Sequence, residues 1–160
     1  MKIGRVTLSD RASAGVYEDL SGPEIERAIT EFVPGEHTFE RRLLPDDMAE
    51  LSKMLCALCD HDRCDLIITT GGTGPTPRDI TPEATRAVLE KELPGFGEIL
   101  RMKSFMIAPT AILSRATAGI RGRSLIVNLP GSPKAVRECM GFLTPAIVEA
   151  VKHLRETNSL

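Results

Sequence analysis

Thr69 to Glu83 reads TTGGTGPTPRDITPE, and it is the stretch whose residue types most plainly suit chemistry. Gly71, Gly72 and Gly74 carry no Cβ, so their backbone can take positive φ and their amides can approach an anion closely. That is the chemistry of a phosphate cradle. It is not a Walker A loop, since no Gly-Lys-Ser/Thr follows, nor the dinucleotide G-x-G-x-x-G. The stretch closes on Asp79, a carboxylate where a simple anion site would prefer a cation. This points to a metal ion or a proton handled beside the phosphate. The plainer alternative is a Gly-rich turn whose aspartate caps a neighbouring group.

The elements around this stretch have to present it. Asp65-Leu66-Ile67-Ile68 reads as a buried strand, and a helical pattern begins near Pro82, with Thr81 as N-cap, so the glycines occupy a strand-to-helix loop. Lys2 to Leu8 reads as a first strand, running into a long polar segment, Ser9 to Pro23. That segment carries Ser9, Asp10, Arg11, Ser13 and Asp19, a set able to hydrogen-bond a polar ligand or simply to be solvated. Pro23 suits the first position of a helix with Ile25, Ala28, Ile29 and Phe32 on its apolar face, ended by Pro34-Gly35. Thr38 to Leu44 reads as a strand. Pro45-Asp46-Asp47 then opens a helix striped with Met48, Leu51, Leu55 and Leu58, and Asp46 or Asp47 suits its N-cap.

Pro94-Gly95-Phe96-Gly97 reads as a break, either a corner between helices or backbone offered to a flat ring. A helix resumes from Glu98 to Ile107 and stops by Pro109. Ser124 to Leu129 is a third clear buried strand, with a local antiparallel pair expected near Ala118 to Ser124. The final pattern, Ala135 to Leu154, is helical, and Pro145 is expected to kink or interrupt it. Alternating strands and helices argue for a doubly wound α/β layer structure with a mostly parallel sheet.

The 160 residues, 42% hydrophobic and 26% charged, predict one domain over residues 1–160. A net charge of −2 offers no basic field for nucleic acid. No apolar run has the length of a membrane span, and Met1-Lys2-Ile3-Gly4 leads into a strand rather than a signal peptide, so the expected location is cytoplasmic. Of the four cysteines, Cys56, Cys59 and Cys64 cluster near His61, but Cys56 and Cys59 share a helix face with Leu55 and Leu58 and read as small hydrophobes.

With parallel strands, the loops after Leu8, Leu44, Thr70 and Leu129 emerge on one sheet edge. The polar residues expected to converge there are Asp46, Asp79, Ser9, Thr73, Ser114, Arg115 and Asn128, around the glycines. Phosphoryl or nucleotidyl transfer needs positioning and charge neutralisation, usually with Mg²⁺ on carboxylates, and this set suits it. No Cys or His nucleophile lies in these loops, which argues against acyl-enzyme chemistry.

SDRASAGVYED, LLPDD, TTGGTGPTPRDITPEAT, PGFGE and TAILSRATAGIRGRSLIVNLPGSPKAVRECM, in this order, resemble the molybdopterin adenylyltransferases: the bacterial MogA type, and the G domain of gephyrin and its plant counterpart. The resemblance implies a three-layer α/β/α sandwich of molybdopterin-binding-domain type, assembled as a homotrimer. It implies transfer of adenylate from Mg-ATP to the terminal phosphate of molybdopterin, with release of pyrophosphate. Asp46 and Asp79 match the residues most tied to catalysis and to Mg²⁺. Gly72, Thr73 and Gly74 match phosphate binding. Ser104, Ser114, Arg115, Asn128 and Gly131 match the pterin side, and Asp19, Pro94 and Gly95 match positions near the nucleotide. A MoeA-like molybdenum-insertion protein is implied downstream. The competing readings are a non-catalytic molybdopterin-binding or scaffold module of the MoaB kind, and a nonspecific nucleotide hydrolase.

Overall fold

The computed structural model describes residues 1–157. Six strands form one sheet in the order β2-β1-β3-β6-β5-β4: β1 (Lys2–Leu8), β2 (Thr38–Leu44), β3 (Leu66–Thr70), β4 (Lys91–Glu92), β5 (Ala118–Arg121) and β6 (Ser124–Leu129). β2, β1, β3 and β6 are mutually parallel, and β5 and β4 add an antiparallel edge. The helices are α1 (Asp10–Ser13), α2 (Ser21–Phe32), α3 (Met48–Asp60), α4 (Thr81–Val88), α5 (Pro94–Phe105) and α6 (Pro133–Thr157), with a 3-10 turn at Pro109–Leu113.

Side-chain alternation along the buried strands divides the core into two layers. Leu66, Ile68, Leu125, Val127 and Leu129 face α2, α5 and α6, meeting Ile25, Ile29, Leu100, Val136, Leu143 and Ile147. Ile67, Ile126, Val6 and Leu8 face α3 and α4, meeting Leu51, Leu55, Leu58 and Ala84. The molecule is therefore a three-layer α/β/α sandwich. Cys59 and Cys64 are buried in the second layer and Cys139 in the first, where burial pushes the Cys59 thiol up to about 12 and the other two to about 11. They are packed as hydrophobes.

Four elements differ from the sequence expectation. The segment after β1 is not structureless, since it holds the single turn of α1. α2 begins at Ser21, because Asp19 Oδ1 accepts from the Gly22 amide at 2.9 Å and so caps the helix two residues early. Pro94-Gly95-Phe96-Gly97 is no break but the first turn of α5, where a proline needs no donor. Gly97 is needed there for packing, because a Cβ would lie 2.4 Å from the Ala116 carbonyl oxygen. α6 is not interrupted at Pro145 but continues through it, with Leu143 and Ile147 buried on either side. Burial of both flanking turns outweighs the lost backbone bond.

The register aligns the strand ends: Leu8 lies beside Leu44, Thr7 beside Thr70, and Thr70 beside Leu129. The four loops that follow therefore leave the same sheet edge side by side.

Candidate functional site

Asp47 takes the N-cap of α3, its Oδ1 accepting from the Glu50 amide at 2.9 Å. This frees the Asp46 side chain for the sheet edge. Asp46 Oδ2 accepts from the Asp10 amide at 3.1 Å, and the Asp46 amide donates to Asp10 Oδ1 at 3.0 Å. Burial pushes the Asp46 carboxyl above its ordinary value; the Asp10 N–H bond opposes this, and the negative charges of Asp10 and Asp79 add to it. Asp79 folds its own loop, with Oδ2 accepting from the Thr76 amide at 2.9 Å and the Thr76 hydroxyl at 2.7 Å.

Between the two carboxylates runs the glycine loop. Gly71 and Gly72 have φ of +94° and +66°, and a Cβ would sit 2.3 Å from the Leu8 carbonyl oxygen at the first and 2.4 Å from Thr81 Oγ1 at the second. Thr81 locks this turn by donating its hydroxyl to the Gly71 carbonyl at 2.9 Å and its amide to the Gly72 carbonyl at 3.0 Å. Gly74 does not take positive φ; it is required instead for room, since a Cβ would lie 2.9 Å from Asp79 Oδ2. Among the described residues the amides of Gly72, Thr73 and Gly74 donate to no protein acceptor. Unpaired donors in succession are what an anion needs.

The loop is the wall between two cavities. One, of about 440 Å³, is lined by Thr73, Gly74, Ser104 and Ser114 together with apolar Leu100, Ile107 and Leu113. The other, of about 370 Å³, is lined by Ser9, Tyr17, Asp19 and Asp46. Gly72, Asp79 and Gly131 line both. A long ligand pair meeting at a phosphate fits this layout: one body in each cavity and the junction at Gly72 and Asp79.

Several expected residues thus stand at the cavities: Asp46, Asp79, Ser9, Gly71, Gly72, Thr73, Gly74, Ser104, Ser114 and Gly131. Five others are placed differently from that set. Arg115 is not a cation turned toward a ligand. Its Nε and Nη2 donate to the Gly74 and Asp79 carbonyls, both at 2.8 Å, and it pairs with Glu83, so it braces the glycine loop from beneath. Asn128 is 1% exposed and lines neither cavity. Its Nδ2 donates to Thr69 and Thr85 hydroxyls at 3.0 and 2.9 Å and its Oδ1 accepts from the Thr117 amide, tying β3, α4 and the residue before β5 behind the site. Pro94 and Gly95 lie in a separate apolar groove with Phe96 and Phe142 that shares no lining residue with either cavity. Asp19 does line the second cavity, but its oxygens are taken by Arg5, Thr7 and the Gly22 amide.

The sequence reading passed over Tyr17. Its hydroxyl lies 2.8 Å from Ser9 Oγ, and its ring packs under the Arg11 guanidinium at 5.2 Å, forming one side of the second cavity. The available signal was a lone tyrosine, the chain's only one, inside a polar site loop. Nor did spacing reveal that Asp10 bonds Asp46, since the two lie 36 residues apart.

Residues 4–149 match the family described as probable molybdopterin binding domain. The chain is 54% identical over 145 residues to the molybdopterin adenylyltransferase of Helicobacter pylori strain J99, covering 91% of this chain and 82% of that one. It is 46% identical over 153 residues to the molybdopterin adenylyltransferase of Escherichia coli K12, covering 96% and 78%. Its structure superposes on the molybdopterin biosynthesis enzyme MoaB of Thermus thermophilus with a TM-score of 0.87 at 39% identity, covering 96% and 95%.

Proposed function

The chain belongs to the probable molybdopterin binding domain family, and on that premise we propose that it catalyses the adenylylation of molybdopterin in molybdenum cofactor biosynthesis. The observation that carries this reading is the glycine loop standing between two cavities, with unpaired amides at Gly72, Thr73 and Gly74 and a carboxylate on either side. The enzyme uses ATP as co-substrate. An oxygen of molybdopterin's terminal phosphate attacks the α-phosphorus of ATP, a new P–O bond forms, the α–β bridge breaks, and pyrophosphate leaves, so that molybdopterin is readied for metal insertion. The larger, more apolar cavity takes the pterin, with Ser104 and Ser114 at its polar edge, and the cavity of Ser9 and Tyr17 takes the nucleotide. The loop amides hold phosphate, and Arg115 and Asn128 keep the loop and its strand in place.

The residues present suit Mg²⁺. Asp46 and Asp79 offer hard oxygen ligands that line one cavity together. Two carboxylates without a closed protein cage is the arrangement in which Mg²⁺ is completed by water and phosphate. When bound, the ion would neutralise charge on the phosphates. The residues themselves orient the attacking phosphate.

The protein assembles as a homotrimer, acts in the cytoplasm and hands its product to a MoeA-like molybdenum-insertion protein. Supporting self-association, Met102, Met106 and Ile112, which line neither cavity, are all more than half exposed along one stretch. A non-catalytic binding module has no need of two carboxylates facing a phosphate cradle.

The deciding experiment is pyrophosphate release from Mg-ATP with and without molybdopterin. Release should require both substrates and the metal. D46A and D79A should each abolish turnover while leaving the fold and much of the molybdopterin affinity intact, because both side chains sit on loops outside the core. Near-normal turnover by either variant would remove the assigned roles.

A further inference from the structure

The two carboxylates are connected by contacts that the transfer of adenylate does not itself call for. Asp10 and Asp46 bond reciprocally, each amide to the other's carboxylate, which joins the loops after β1 and β2. On the same Asp10 lies the Arg78 guanidinium, with Nε donating to Oδ2 at 3.0 Å and Nη2 to Oδ1 and Oδ2 at 2.8 and 2.7 Å. Arg78 is the residue before Asp79. The contacts therefore form a chain that runs from Asp46 through Asp10 and Arg78 to Asp79.

We propose that Arg78 is a positioning residue whose clasp on Asp10 sets the spacing of Asp46 and Asp79 across the phosphate cradle. The inference rests on the adenylyltransferase reading and goes beyond it by assigning a role outside the substrate-lined cavities. Stability is a poor explanation for the pair, since the Arg78 side chain is 67% exposed and that of Asp10 is 41% exposed. Such pairs contribute little to folding. Position is a better one. Pro75, Thr76, Pro77 and Arg78 form an exposed loop tip, and Arg115 holds only the underside, at the Gly74 and Asp79 carbonyls. Among the described residues the Arg78 clasp is the one polar tie from that tip to the loops after β1 and β2. A guanidinium fork holds a carboxylate in one orientation, which an ammonium does not. With the clasp open, the tip beside Asp79 is held only from its underside, and misplacement of the carboxylate by about an ångström can cost about 100-fold in rate.

The test measures kcat and both KM values for the wild type, R78A, R78K, D10N and R78A/D10N. R78A should lose roughly 10- to 100-fold in kcat, with both KM values within about two-fold of wild type. R78K should not recover the rate, whereas guanidinium ion added to R78A should recover part of it. D10N should lose rate as R78A does, and the double variant should be no worse than the poorer single one, because both break one contact. Wild-type kcat in R78A overturns the proposal. So does a loss confined to the KM for ATP, which would make Arg78 a substrate contact, or additive losses in the double variant. A second readout needs no turnover: in substrate-free protein, trypsin should cut after Arg78 faster in D10N than in wild type, and equal rates overturn the clasp. If the wild type released no pyrophosphate, the adenylyltransferase reading alone would fall, and the cleavage rates would still decide the clasp.

Discussion

At the scale of single residues, what matters is which lone pairs and donors are left over once the fold has used what it needs. Asp47 is used up as the cap of α3, while its neighbour Asp46 is left facing the edge. Gly71 shows how little slack the cradle has. A methyl group there would meet the Leu8 carbonyl oxygen at 2.3 Å with φ held at +94°, so two penalties act together. G71A should destabilise the protein by roughly 2–5 kcal/mol. Tm should fall by roughly 5–15 °C, as read by calorimetry. A Tm within a degree of wild type would mean that the loop tolerates a different path. The glycines and Asp79 stood out in the sequence because their types are unusual in series. The saturation of Arg115, Asn128 and Asp19 by internal partners did not, since a side chain's type does not say what it already bonds.

At the scale of elements, Asp65 ties three of them together. It is 4% exposed just before β3, and it accepts from the Lys2 amide at 2.9 Å, from Arg123 at 2.8 Å and from Arg155 of α6 at 2.6 Å. Burial alone would raise its carboxyl, but the bonds from Arg155, Lys2 and Arg123 outweigh it and hold the group well below its ordinary value of 3.8. A depressed folded-state pKa gives stability that is complete above the unfolded value and is lost as pH falls below it. The contribution should therefore be full at neutral pH and fade below about pH 4. D65N should cost roughly 2 kcal/mol at pH 7, a moderate figure because both arginines are partly solvated. The gap between D65N and wild type should narrow in urea melts at pH 3. A constant gap would show that Asp65 acts through shape rather than charge. Strand and helix identities here were legible from apolar spacing, whereas the start of α2 and the first turn of α5 were not. Those two boundaries depend on Asp19 reaching Gly22 and on Gly97 meeting Ala116, contacts that apolar spacing does not report.

At the scale of the whole molecule, one sheet edge collects the loops after β1, β2, β3 and β6, and one largely apolar stretch, Met102 to Leu113, stays mostly unburied. If that stretch forms the subunit contact, M102E/M106E should shift the light-scattering mass from trimer toward monomer while leaving the fold intact by circular dichroism. An unchanged mass would place the contact elsewhere.

Reading the chain alone was enough for the three-layer class, the parallel order that brings four loops to one edge, and the placing of the glycine loop and both aspartates there. Each of these follows from local residue type, from apolar periodicity or from motifs quoted in chain order. Which polar residues face a cavity, and which are consumed behind it, was settled by the folded contacts and by nothing earlier. Asn128 bonds across β3, α4 and the residue before β5, and Asp10 reaches both Asp46 and Arg78 from 36 and 68 residues away. Hydrogen bonding is short-ranged in space but indifferent to separation along the chain, so its partners emerge only when the strands are brought into register.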